Sequence, residues 1–130
     1  MYNDFYHFTK EPFKNTPDPE FFYFSPRHRE ALATIVYGIE NRKAFILITG
    51  DVGVGKTSIL HAFLKNIDRD RVRYIYIVNP NLTFRELIEK VFKELQIEAE
   101  GLTTVQMMDR LHLVLVDEYQ RGRNFVILID

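Results

Sequence analysis

Residues Gly50 to Thr57 read Gly-Asp-Val-Gly-Val-Gly-Lys-Thr, the spacing G-x-x-x-x-G-K-[ST]. The chemistry that needs this spacing is the wrapping of a phosphate chain. The backbone has to curl around a polyanion with its N–H groups turned inward. Several positions then take dihedrals and close approaches that a residue without a Cβ accepts freely. A helix that begins at the loop adds the positive end of its dipole and its first N–H groups. On this reading Gly50, Asp51, Val52, Gly53, Val54 and Gly55 offer backbone to a nucleotide. Lys56 reaches the β- and γ-phosphates, Thr57 holds Mg²⁺ through its hydroxyl, and Ser58 follows in the first helical turn. With glycine near 7% of residues, chance produces such a match in roughly half a percent of chains of this length.

Phosphoryl chemistry also asks for a carboxylate at the tip of a strand, to orient the metal. Two segments compete for that role. Val126-Ile127-Leu128-Ile129-Asp130 is an apolar run ending in Asp, and Leu113-Val114-Leu115-Val116-Asp117-Glu118 is another. Periodicity favours the first. Val105, Met108, Leu111, Leu115 and Tyr119 recur at intervals of three and four, which is a helical stripe, and Asp117 and Glu118 then fall on its solvated end. Asp130 is therefore paired with Lys56 as the catalytic couple and with Thr57 as the metal couple.

The elements that must position these groups follow from the pattern. Ser25 caps a helix over 26–41, with Pro26 in its first turn and Leu32, Ile35, Val36 and Ile39 on one face. The run 44–49, Ala-Phe-Ile-Leu-Ile-Thr, reads as a strand buried on both faces. A helix follows near 55–67, with Ile59, Leu60, Phe63, Leu64 and Ile67 inward. Residues 72–78 read as a strand, and Thr83 with Glu86 as a capping box for a helix over 84–96. Thr103 or Thr104 caps another helix that runs to about 120 and is closed by Gly122. A strand over 125–130 ends the chain. Strands alternating with helices predict an α/β fold with a parallel sheet. The stop at a buried strand leads us to expect that the protein continues past Asp130.

Composition narrows the partners. The chain has 130 residues, 46% of them hydrophobic, and a net charge of −1. There is no global basic footprint, so nothing here is direct support for nucleic-acid binding. Without cysteine, disulfides and thiolate metal sites are excluded. The apolar runs fall far short of the roughly 20 residues that cross a bilayer. Nine of the 18 aromatics lie in the first 24 residues, between Tyr2 and Phe24, together with Pro12, Pro17 and Pro19. Such an arm is unsuited to a helix interior and too apolar to remain in water, so it is expected to pack on the domain. Residues 1–24 are thus read as the arm and 25–130 as the core.

With these residues in view, the chain resembles the AAA+ ATPases of the bacterial general (type II) secretion pathway, the ExeA/GspA-like group. The signature is Met1-Tyr2, Phe5, Phe8, Pro12-Phe13, Pro17-Asp18-Pro19, Phe22-Tyr23, Ser25, His28, Ala31-Leu32 and Tyr37-Gly38-Ile39, followed by Phe45 to Gly50 and the Gly-Lys-Thr loop. The resemblance implies a P-loop NTPase core of three α/β/α layers, incomplete at the C-terminus, with a helical lid to follow. It implies ATP and Mg²⁺, with Lys56, Thr57 and Asp130 as their residues. It also implies a cytoplasmic protein that forms homo-oligomers and works at the periphery of the inner membrane with membrane components of the pathway. Ser58 stands where a second threonine is common. The acidic residue expected after the Walker B Asp130 would lie beyond the chain, so these 130 residues are expected to show no appreciable ATP turnover. In such ATPases the segment before the first core strand often lies near adenine, which makes Phe24 to Arg29, with Phe24 and His28 foremost, candidates for base contacts.

Two other readings share the loop: a DNA-associated or transposition-type adaptor ATPase, and a small-molecule kinase. The long aromatic arm argues against the kinase. Arg69, Arg71, Arg73, Arg121 and Arg123 are read as solvated turn residues, and His7, His61 and His112 as structural. Met107 and Met108 are read as core filler.

Overall fold

The structure is a computed structural model that describes residues 2–11 and 19–130. Met1, Pro12, Phe13, Pro17 and Asp18, which carry part of the arm signature, lie outside the described residues. The chain divides into two compact units, Met1–Asn66 and Ile67–Asp130.

In the first unit Tyr2–Tyr6 form one short helix, α1. It lies more than a turn ahead of Pro12, outside the reach of the steric block that proline imposes. Phe5, Tyr6 and Phe8 touch one another, with centroids 4.9 and 5.6 Å apart, yet all three stay exposed. Among the described residues of the arm, packing is made by Phe22 and Phe24, after the 3-10 turn Pro19–Phe21. Helix α2 (Pro26–Glu40) then starts at Ser25, whose extended backbone and side chain cap it as expected. It buries Ile35, Gly38 and Ile39 and packs against α3 (Lys56–Lys65), which buries Ile59, Ala62 and Phe63.

The strand expected over 44–49 is not formed. Among the described residues the only ladder is two-stranded and lies in the second unit. Phe45 and Leu47 are 94% and 84% exposed, while Ile46 and Ile48 are half-buried. The inward side of this alternation rests on α2: a Cβ on Gly38 would sit 2.5 Å from Ile46 Cδ1, so the glycine is what lets the segment lie so close. An apolar run becomes a strand when a neighbour takes up its backbone groups, and among the described residues no strand pairs with this one.

In the second unit β1 (Val72–Ile77) is followed by α4 (Phe84–Glu94), α5 (Thr104–Gln120) and β2 (Asn124–Ile129). The strands pair in parallel, from Val72 opposite Asn124 to Ile77 opposite Ile129, as the alternation of strands and helices implied. Thr83 with Glu86 and Thr103 with Gln106 close capping boxes at the two helix starts. The hydrogen bonds from the Thr83 side chain and backbone hold the Glu86 carboxyl below its ordinary value. The core is Ile75, Ile77, Ile88, Val91, Phe92, Leu95, Met107 and Leu111.

Helix α5 exists where the periodicity placed it, but the stripe expected to line its buried face is rotated. Met107 is fully buried at 0% exposure, while Val105 is 71% exposed and Met108 and Tyr119 also face water. The buried line runs through Met107, Leu111 and Glu118. Glu118, expected at a solvated end, is only 5% exposed. Arg123 Nη2 donates to its Oε1 at 2.8 Å. Arg123 Nε lies 2.7 Å from Oε2, and Arg73 Nη1 is 3.6 Å from Oε1. These two arginines are thus not plain solvated turn residues: they carry the charge that lets a carboxylate sit inside, tying β1, α5 and the start of β2 together. Asp117 does face solvent, paired with Arg121 at 2.9 Å.

Removing one member of a buried ion group leaves its partners uncompensated. Because both arginines keep partial access to water, Glu118→Ala is expected to cost about 2–3 kcal/mol, read as a lower urea midpoint at unchanged slope.

Candidate functional site

Helix α3 opens differently from α2, α4 and α5. Those three begin at Ser25, Thr83 and Thr103, each closing a capping box. The residue before α3 is Gly55, in the left-handed region at φ 99°, with no side-chain hydrogen bond to the helix start. Gly53 is also at positive φ, 83°. A helix start that lacks a side-chain cap leaves its first N–H groups to be satisfied by something else, and an anion serves. The residue types singled out in the sequence therefore make a loop of the expected kind from Gly50 to Thr57, with Lys56, Thr57 and Ser58 in the first turn of α3.

Lys56 is folded back over this loop. Its Nζ donates to the carbonyl of Gly50 at 2.9 Å and of Asp51 at 2.8 Å. The ammonium thus sits against the N-terminal half of the loop. Val52 is fully exposed at the tip. The loop's own closure is weak: Val54 N–H reaches Asp51 O at 3.5 Å.

The loop is also backed by His28 in the first turn of α2 and by aromatics just before that helix. His28 Nε2 lies 2.7 Å from the Val54 carbonyl. The Phe22 ring packs at 4.7 Å from the His28 ring, and Phe24 stands edge-on to Phe22 at 4.8 Å. A Cβ on Gly55 would meet Phe22 Cε2 at 3.0 Å and His28 Nε2 at 3.3 Å. Gly55 is therefore required twice, for its dihedral and for this close approach. Phe24 and His28 were singled out from sequence as base contacts, and the structure places His28 on the loop backbone. Phe22 was missed: four aromatics stand in a row at 21–24, and nothing in composition tells which of them turns toward the glycine.

Asp130 belongs to the second unit, directly after β2. Its backbone N–H continues the ladder to Ile77 O at 3.0 Å. The Tyr76 hydroxyl donates to Asp130 Oδ2 at 2.7 Å. Tyr76 pairs with Leu128, so Asp130 is its diagonal neighbour on the same face. Burial first, then the hydrogen bond to Asp130 and its negative charge, raise the Tyr76 phenol to about 12. Tyr76 was also missed, since its partnership depends on strand register. Among the described residues no group of three or more His, Cys, Asp or Glu side chains forms a metal cluster. No helix there is long and apolar enough to cross a membrane.

A loop of this geometry ahead of a helix, and an Asp at the tip of a parallel strand, define the class. The AAA domain family model matches residues 39–130, and the chain belongs to that family of P-loop NTPases. Over its whole length the chain is also similar to General secretion pathway protein A of Aeromonas hydrophila, at 35% identity over 133 aligned residues. It spans 24% of that relative's length. No solved structure matches the chain significantly.

The double demand on Gly55 gives a direct test. Gly55→Ala places a Cβ in the left-handed region and against Phe22, with an expected loss of about 1–2 kcal/mol, read as a lower melting temperature.

Proposed function

We propose that this chain is the ATP-binding portion of an AAA+ ATPase that energises assembly or remodelling in a bacterial secretion pathway. The observation that carries the nucleotide part is the start of α3. It lacks the side-chain cap that α2, α4 and α5 have, it follows two glycines at positive φ, and a lysine is poised over the loop. The backbone N–H groups of Gly53 to Thr57 bind the phosphate oxygens. Lys56 exchanges one or both of its loop carbonyls for the β- and γ-phosphates, a stronger set of charge-assisted bonds. The same Lys56 then orients the terminal phosphate.

Mg²⁺ would be held by the Thr57 hydroxyl and oriented by Asp130, and when bound it neutralises charge on the phosphate oxygens. The donors suit it: a hydroxyl and a carboxylate are hard oxygen ligands. Asp130 in turn is held by Tyr76. The segment from Phe24 to Arg29 is proposed to lie near the base. The pathway assignment is supported by the similarity to General secretion pathway protein A. Oligomerisation, contact with membrane components and a place at the inner membrane are proposed for the whole protein on the same ground. The family match favours this reading over a small-molecule kinase.

Lys56→Ala is expected to weaken ATP binding by roughly 10- to 100-fold, from the loss of charge-assisted bonds to phosphate. Titration with a fluorescent ATP analogue reads this, and wild-type affinity in the variant would refute the phosphate role. Asp130→Asn is expected to leave metal-free nucleotide binding intact while removing most of the gain from added Mg²⁺. An unchanged Mg²⁺ dependence would take Asp130 out of the site.

A further inference from the structure

Helix α2 departs from α4 and α5 at one position. In the capping box the third helical residue reaches back to the N–H of the cap. In α4 that residue is Glu86 and in α5 it is Gln106, the usual types. In α2 it is His28: Ser25 N–H donates to His28 Nδ1 at 3.2 Å, and His28 N–H donates to Ser25 Oγ at 3.3 Å. A nitrogen that accepts carries no proton, so the neutral ring has its hydrogen on Nε2. That hydrogen is the one directed at the Val54 carbonyl, 2.7 Å away. The cap thus selects the tautomer that can donate to the loop.

The bond to Val54 has a consequence across the peptide. The Val54–Gly55 peptide is trans, so the Val54 carbonyl and the Gly55 N–H point in opposite directions from one plane. Holding the carbonyl toward His28 turns the Gly55 N–H to the other side. Gly55, like Gly53, is left-handed and free of a Cβ, so its peptide is a soft joint that an outside hold can stiffen. Phe22 fixes the other flank of the imidazole at 4.7 Å. A glutamate at this position would close the box equally well, as Glu86 does, but would bring a negative charge and no donor to the loop.

We infer that His28 is a positioning residue for the phosphate loop: it caps α2 with one ring nitrogen and with the other sets the Val54–Gly55 peptide in the orientation that receives the nucleotide. The inference rests on the phosphate-binding role of Gly50 to Thr57. It differs from a contact to the base, because the partner is the loop's own backbone.

The test compares His28→Ala, His28→Gln and Ser25→Ala in the full chain. Ser25→Ala weakens the cap but leaves the loop bond. His28→Ala removes both. Gln keeps an acceptor for the cap and an amide donor at the place of Nε2. Both alanine variants are expected to lower the melting temperature. Only His28→Ala is expected to speed amide hydrogen exchange over residues 53–57 without nucleotide, by about fivefold, and to weaken ATP-analogue binding by about three- to tenfold, the worth of one hydrogen bond. Gln should restore both toward wild type. Equal exchange and affinity in His28→Ala and Ser25→Ala would overturn the inference, as would wild-type behaviour in His28→Ala. If the wild-type chain binds no better than Lys56→Ala, the phosphate-binding reading fails instead, and loop exchange still decides whether His28 holds the loop.

Discussion

A phosphate cradle has to keep backbone N–H groups available and yet hold them still. Most helix starts end that availability with a side chain, as α2, α4 and α5 do. Helix α3 begins instead at a left-handed glycine. Stiffness must then come from elsewhere, and in this chain it comes from both sides of the loop. Lys56 ties the carbonyls of Gly50 and Asp51 from within, while His28 and Phe22 bear on Val54 and Gly55 from without. The cap of α2 and the last aromatics of the arm are therefore parts of the loop's support as well as of their own helix entry.

The second unit solves a different problem, the presentation of a carboxylate. Asp130 follows the last residue of β2, where the ladder to β1 still fixes its backbone and Tyr76 fixes its side chain. Behind the sheet, α5 is anchored by Glu118 between Arg73 and Arg123. A buried carboxylate with two guanidinium partners is costly to form, and losing one partner would leave charge uncompensated inside. Met107, three turns earlier on the same face of α5, fills the core, while Met108 faces water.

The segment 44–49 shows how a strong local pattern differs from an element. Its composition is that of a strand, and its burial alternates as a strand's would, with Ile46 pressed on Gly38. Strand structure nevertheless requires a second backbone at hydrogen-bonding distance, which no choice of side chains supplies alone. Among the described residues only β1 and β2 meet that condition.

By itself, the sequence determined the spacing of the loop, helices α2 to α5 with the caps Ser25 and Thr83, and the parallel pairing of β1 with β2; helix α1, and the choice of Thr103 over Thr104 as the cap of α5, it did not. What it determined depends on local spacing: glycines where φ must be positive, Ser and Thr three residues before a partner, and apolar residues at helical or alternating intervals. It also separated the helix bearing Asp117 from the strand bearing Asp130, because a seven-residue window already distinguishes the two periods. Tertiary structure alone decided the turn of α5 that buries Met107 rather than Met108, the burial of Glu118, the turn of Phe22 rather than Tyr23 toward Gly55, and the meeting of Tyr76 with Asp130. Each of these is a contact between residues distant in the chain, or a choice between equivalent neighbours. Such choices are made by register and packing, which local pattern does not encode.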